Sequence, residues 1–425
     1  MKLISLLGFF LRGGSAGAKF LFVLYLAGKT SSSLLGQVAV LMTIAAAFTQ
    51  VAGLEINQVI GRQLHALTER ERLRLLRRQA QAAMLVYLVL APTLVFAYAD
   101  MFADHWLSFS GILLLEHFLI EVYRFNILVL RPVYASSLLF IKNVGWVLLF
   151  MVLVELNVAT PSLSLVLYCW FGVLALTALP LLITPHAWPT LNELLAPSNW
   201  LPQSGALVWQ ARTFILSAVA AAGISSVDKL LIAGKFPSSD LGIYFFFFTC
   251  ASLISLVASF SIGATIGPQC IKIYTTEGRK AYLPHLRHLK KLYWTASIAT
   301  MAVIILPADF LLTFFGKTDY HRHTEILYLL APSAALVVLC EPYKMDAYLE
   351  RQDWVLLGGN FFHLVSVTVC IALFSLKADI DWIAAGVLLS SLLTYAYFAL
   401  NLGNRVFCRL RQCALSANES SDVRK

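Results

Sequence analysis

Two short blocks of this chain combine charge with helical spacing. Glu121-Val122-Tyr123-Arg124 returns as Glu341-Pro342-Tyr343-Lys344, and ten residues past each glutamate stands an arginine, Arg131 or Arg351. A carboxylate and a base three residues apart share one face of a helix. In an apolar segment such a pair has two uses. It neutralises itself and makes burial tolerable, or the base binds an anion while the glutamate takes up a proton or cation during transport. Arg131 and Arg351 mark the ends of their helices. Ten residues at 1.5 Å rise then place Glu121 and Glu341 about 15 Å deeper, near the middle of a bilayer.

Further charges lie in apolar stretches. Seven bases do so: Arg12, Lys19, Arg124, Lys142, Arg212, Lys229 and Lys344. Each costs about 2.5–3.5 kcal/mol at the centre of an isolated membrane helix, so each must face a bundle interior, line a cavity or reach out to the headgroups. Arg12, and Lys229 beside Asp228, suit the headgroup reading. Lys19, Arg124, Lys142 and Lys344 suit a cavity. The acidic companions are Glu55, Glu121, Asp228 and Glu341, with Glu116 and Asp346 near them. An excess of bases predicts a cationic lining and an anionic substrate, because a low-dielectric cavity focuses the field of its charges. Arginine grips a phosphate bidentately and lysine acts as a point charge. Glu55, Glu121, Glu341 and Asp228 are the candidate proton or sodium sites.

The elements that must carry these charges follow from composition. Hydrophobic residues make up 59% of the chain and charged residues 13%, about half the usual share, with a mean hydropathy of +0.76. This excludes a soluble enzyme and predicts an all-α polytopic membrane protein. Segments of about twenty apolar residues are read near 5–27, 36–60, 79–99, 107–130, 133–156, 162–183, 206–233, 241–265, 292–315, 325–348, 354–376 and 381–403. The apolar start of the chain, despite Ala16-Gly17-Ala18, reads as an uncleaved first span, because the apolar run resumes at Phe20. The net charge of +9 does not point to nucleic acid, since Lys and Arg cluster in short loops between spans. Residues 62–78 carry six arginines and 272–291 carry six Lys or Arg. The side bearing these loops faces the cytoplasm, which puts both termini inside. Seven cysteines without a C-x-x-C predict neither a disulfide framework nor a zinc site.

The chain also repeats itself. Ala27-Gly28-Lys29-Thr30-Ser31-Ser32-Ser33-Leu34-Leu35-Gly36 returns as Ala233-Gly234-Lys235-Phe236-Pro237-Ser238-Ser239-Asp240-Leu241-Gly242, seven of ten identical at a shift of 206. The charged blocks repeat at a shift of 220. An even number of spans separates the copies, so the halves are parallel, as in transporters built from repeated bundles. The expected architecture is about twelve transmembrane helices in two parallel six-helix lobes, 1–204 and 205–403, around a central cavity, with a cytoplasmic tail, 404–425. The boundary is the loop 184–204, with Pro185, Pro189, Pro197 and Pro202. Pro92 and Pro307 are expected to kink equivalent helices. Glu55 has Ser261 as its counterpart, so the lobes are chemically unequal.

Ser226-Val227-Asp228-Lys229-Leu230-Leu231-Ile232-Ala233-Gly234, then Leu241-Gly242-Ile243-Tyr244 and Pro268, resembles a pattern of the oligosaccharide-lipid flippases. These belong to the multidrug/oligosaccharidyl-lipid/polysaccharide (MOP) superfamily, and the likeness is greatest to the Wzx-type O-antigen flippases. Ala18-Lys19-Phe20-Leu21 through Leu35-Gly36 is similar to their opening helix. Twelve spans fit this class, whereas the related lipid II flippases usually carry fourteen. The resemblance implies a bacterial inner-membrane protein that moves an undecaprenyl-diphosphate-linked saccharide outward by alternating access. It is expected to act as a monomer, beside polymerase and chain-length machinery, with membrane lipid as its surroundings and without cofactor, metal or nucleic acid. Lys19, Asp228 and Lys229 fall on family positions. Arg12, Arg124, Lys142, Arg212 and Lys344 rest on charge and depth alone. No G-x-x-x-x-G-K-[ST] loop occurs, so energy must come from a gradient or from removal of product. The nearest alternative is an ion-coupled multidrug or small-solute exporter, which would carry mainly carboxylates. A major-facilitator transporter would need a G-x-x-x-D-R-x-G-R loop where the chain reads Gly61-Arg62-Gln63-Leu64-His65. A membrane polymerase or glycosyltransferase needs a larger outer loop than 100–105 or 316–324.

Overall fold

The computed structural model describes residues 2–56, 59, 69–98, 102–128, 132–183, 200–258, 262–314, 318–377 and 379–403. Arg131, Ser261, the loop 184–199, the tail from residue 404 and the side chain of Arg12 lie outside the described residues.

The described residues are overwhelmingly helical. In the first half run α1 (Lys2–Lys29), α2 (Ser32–Ala52), α3 (Glu69–Ala97), α4 (Trp106–Leu128), α5 (Pro132–Glu155), α6 (Leu163–Ile183), α7 (Trp200–Lys235) and α8 (Ser238–Ala258). The second half holds α9 (Ala264–Glu277), α10 (Arg279–Ile305), α11 (Ala308–Phe314), α12 (Thr318–His321), α13 (Thr324–Leu339), α14 (Glu341–Leu349), α15 (Asp353–Phe374) and α16 (Ile380–Phe398). Each of the twelve expected spans coincides with helix over most of its described residues, although the second stops at Ala52. Among the described residues ten helical segments are long and apolar enough to cross a membrane, and α1 and α3 supply the other two expected spans. The chain is a multi-pass membrane protein. Only helices satisfy their own backbone in lipid, so an apolar chain of this length has little other choice.

Two compact units divide it, Met1–Thr249 and Cys250–Lys425. In the first, α1 packs on α5, α4 on α5 and α6, and α7 on α2 and α3. Its core is aromatic between α1, α5 and α6: Trp146 stacks on Trp170 with ring centres 4.9 Å apart, and Phe22 meets Trp146 edge-on at 4.6 Å. In the second unit α16 packs on α13 and α15, and α10 on α9 and α13. Span 9 is interrupted after Ile305 and resumes at Ala308, flanking the expected kink at Pro307. Span 10 is interrupted too. It turns at Cys340 and restarts as α14, with Pro342 in the first turn, where its missing N–H costs nothing.

The duplicated hairpins begin α2 and α8. Ser31 caps α2, its hydroxyl accepting from the Leu34 amide at 3.3 Å, and Pro237 stands at the equivalent position before α8. The two copies touch each other. A Cβ on Gly36 would run into the Ser238 carbonyl and lie 3.3 Å from the Gly242 nitrogen. A Cβ on Gly242 would run into the Ser32 carbonyl and lie 3.1 Å from the Gly36 nitrogen. The same shift of 206 relates both pairs, so the contact is pseudo-symmetric. Glycine is required at both places because the two backbones pass at a separation with no room for a side chain.

Candidate functional site

Among the described residues, the polar interior of the first unit holds three charge clusters. The most elaborate gathers on α4. Arg124 donates from Nη1 to Glu121 Oε1 (2.9 Å) and from Nη2 to Glu55 Oε1 (3.1 Å). The Gln79 amide from α3 donates to the other Glu121 oxygen. His117, one turn before Glu121, sets Nε2 3.5 Å from Glu121 Oε1, and its Nδ1 is hydrogen-bonded to the Tyr87 hydroxyl. The Phe48 ring of α2 stacks on Tyr87 at 5.7 Å.

Glu55 reaches this cluster because α2 stops short. The helix ends at Ala52, and Leu54 and Glu55 take φ of 51° and 43°. Left-handed backbone costs an ordinary residue roughly 1–2 kcal/mol, and such strain is common where a side chain must be re-aimed at a functional site. Gly53 makes the turn possible. A Cβ there would lie 3.0 Å from Glu121 Oε1, 3.0 Å from His117 Nε2 and 3.3 Å from Arg124 Nη1, so the Gly53 backbone closes over the junction of the three.

The second cluster lies between α4, α5 and α6. Lys142 and Glu116 form a buried ion pair, and Trp170 Nε1 donates to the other Glu116 oxygen at 2.9 Å. Lys19 on α1 lies within electrostatic range of both. Next to them Asn143 donates to Ser15, whose hydroxyl donates to the Leu139 carbonyl. The third cluster is on α7. Lys229 bonds Asp228 at 3.0 Å and the Ser225 carbonyl at 2.9 Å, and its ammonium sits 3.4 Å from the Phe248 ring centre. Tyr244 donates to Asp228 at 2.8 Å.

Lys229 therefore corrects one expectation. It does not reach for headgroups but is 3% exposed, because Asp228, Tyr244 and a helix carbonyl satisfy its ammonium within the bundle. Arg212, expected inside, is exposed and lies over the Trp209 ring at 4.2 Å.

In the second unit Lys344 and Glu341 pair at 2.8 Å, with side chains 28% and 45% exposed. Lys344 approaches the Phe398 ring at 5.9 Å. At the far end of α14, Arg279 pairs with Glu350 and lies 3.9 Å from Asp346. Tyr274 of α9 donates to Glu350 at 2.8 Å, and burial together with that bond holds its hydroxyl above the usual phenol range.

The clusters bring together residues that sequence reasoning kept apart. Glu55 joins Glu121 and Arg124, and Glu116 joins Lys142. His117, Gln79, Tyr87, Trp170, Tyr244 and the Arg279–Glu350 pair were not anticipated. The i, i+4 spacing of His117 and Glu121 was the one local signal available. Among the named bases whose side chains are described, Lys142 and Lys229 are sealed, Lys19 is partly buried, Arg124 is 26% and Lys344 28% exposed, and Arg212 is exposed.

No protein-family model and no curated protein matches the sequence. The fold does have counterparts. A lipid II flippase MurJ in an inward closed conformation aligns with a TM-score of 0.67 at 13% identity, over 95% of this chain and 88% of that one. The MATE transporter VcmN of Vibrio cholerae aligns at 0.62 and 14% identity, over 95% and 96%. An outward-facing multidrug resistance MATE transporter of the MOP superfamily aligns at 0.59 and 14%, over 97% and 95%. At such identities the likeness concerns the fold alone, which this chain shares with that lipid II flippase and those MATE transporters.

Proposed function

We propose that the protein is a flippase that carries an anionic lipid-linked oligosaccharide, an undecaprenyl-diphosphate-linked O-antigen or similar polysaccharide repeat unit, across the bacterial inner membrane by alternating access. One observation carries the reading: Arg124 is a reachable guanidinium held deep in an apolar bundle by two carboxylates. A diphosphate can accept from Nη1 and Nη2 at once, the two donors that Glu121 and Glu55 now occupy singly, and can exchange for one of them. Arg124 and Lys344 are the first contacts for the diphosphate. Lys19, Lys142, Lys229, Arg12 and Arg212 contribute to the field or meet acidic sugars. Glu55, Glu121, Glu341 and Asp228 are the groups that would take up a coupling ion when displaced. In this reading the repeat-derived lobes, 1–204 and 205–403, are the moving parts, both termini are cytoplasmic and no chemistry is done on the saccharide. The fold shared with a lipid II flippase supports it.

A second reading has its own support. The Arg124 cluster holds two carboxylates for one permanent base, which also suits a small organic cation, and multidrug transporters share the fold. Purified protein in liposomes decides between them. The expected result is movement of a fluorescent polyprenyl-diphosphate saccharide between leaflets, abolished by Arg124→Ala. No movement of that probe, with transport of a small cation such as ethidium, would establish the second reading.

A further inference from the structure

The Arg124 cluster contains a group that the reading above leaves unused. His117 is 1% exposed on α4, between a phenol and a carboxylate. Its Nε2 and Arg124 Nη1 address the same oxygen, Glu121 Oε1, at 3.5 and 2.9 Å. Arg124 Nη1 holds the hydrogen bond to that oxygen, and the buried His117 Nε2 faces it at 3.5 Å without a hydrogen bond of its own.

We propose that His117 is the proton-carrying residue of this site and that its protonation loosens Arg124 from Glu121, making the guanidinium available to a diphosphate. The inference rests on Arg124 being the anion contact. With His117 neutral, Nε2–H faces Glu121 and Nδ1 accepts from the Tyr87 hydroxyl. A proton added at Nδ1 turns Tyr87 from donor into acceptor and makes the ring a cation. The imidazolium then pairs with Glu121, and Arg124 keeps only Glu55. Charge points the same way. Glu55, Glu121 and Arg124 sum to one negative charge while His117 is neutral, which repels a diphosphate; a proton on His117 brings the site to neutrality. Among the described residues, the charged and titratable groups that face the ring are Glu121 and Arg124 on its own helix, Tyr87 beside Gln79 on α3, and Glu55 on the turn after α2. The Lys142–Glu116 pair beside it turns to α5 and α6 and is already neutral. A free imidazole changes charge between about pH 5 and 8, and the switch is to be sought in that range.

The test is binding of geranylgeranyl diphosphate to detergent-purified full-length protein, titrated across that range, with an imidazole NMR titration of the same protein. Wild type should gain affinity as pH falls, by up to tenfold per unit for one linked proton. His117→Gln should bind with a flat profile, and Tyr87→Phe should bind with the slope kept and its midpoint displaced. Arg124→Ala should lose binding at every pH. If Arg124→Ala binds normally, the anion-contact reading fails. If Arg124→Ala loses binding while His117→Gln keeps the wild-type slope, the proton assignment alone fails. Should His117→Gln not fold, the wild-type NMR titration decides: a His117 ring that stays neutral throughout overturns the assignment.

Discussion

The two E-x-Y-[RK] blocks started from one pattern and ended in different physical situations. In the first unit the block sits inside an unbroken helix. Glu121 is 6% exposed and is satisfied by Arg124 and Gln79, with His117 3.5 Å away, while Glu55 arrives on a strained turn to share Arg124. In the second unit the block opens a new helix after a break at Cys340, and Glu341 is 45% exposed with Lys344 as its ion-pair partner. The glycine hairpins behave oppositely: Gly36 and Gly242 remain interchangeable across a pseudo-symmetric contact. The duplication has preserved backbone geometry where two helices cross and changed electrostatics where a ligand could bind. A scaffold whose parts move together needs equivalent contacts, whereas a site for an asymmetric molecule does not.

The largest expected effect tests the first block. Arg124→Ala leaves two carboxylates in a mostly buried site without their base, and truncating one partner of a buried pair costs about 3–5 kcal/mol. Thermal unfolding in detergent should show it as a large drop in Tm, and Arg124→Ala combined with Glu55→Gln and Glu121→Gln should recover much of it. No recovery would mean that Arg124 matters through packing rather than charge.

Next come the hairpins. Gly36→Val and Gly242→Val each force backbones apart, an overpacking cost of about 1–3 kcal/mol. The symmetry of the contact predicts equal losses, so a change tolerated at one position and not at the other would break that half of the comparison. The same assay on Lys344→Ala should register about 0–1 kcal/mol, because its ion pair is partly solvated. A loss as large as that of Arg124→Ala would erase the difference between the blocks. Smallest is Leu54→Gly, in which relief of left-handed strain is set against loss of the Leu54 packing on Ile56, Val59, Ala82, Leu207 and Ala211, so the two effects oppose each other and the net shift in Tm should be small. A large drop in Tm would mean that packing rather than strain dominates at the turn.

Much of the fold was legible because lipid allows few answers. Twelve apolar runs had to become helices, and turn residues such as Ser31 and Pro237 marked where α2 and α8 start. The breaks were harder to read. Pro307 and Pro342 announced them, but whether a proline kinks a helix or begins another depends on neighbours that re-satisfy the backbone. The site was legible in kind more than in arrangement. Arg124 with Glu121 followed from i, i+3 spacing, whereas Lys229 was read as reaching for headgroups because Tyr244, sixteen residues away, could not be known to supply a bond to Asp228.

Taken alone, the sequence determined that this is an all-helical membrane protein, that two of its segments repeat, and that charged residues stand within its apolar runs. These depend on composition and on residues close together along the chain. Only the tertiary structure decided which charges meet: Glu55 with Arg124, Lys142 with Glu116, and His117 facing Glu121. Ion pairing within a bundle depends on which helix faces which and where a helix ends, and local spacing does not encode that. It also decided that the repeated glycines touch each other, since a match between two strings carries no information about the distance between them.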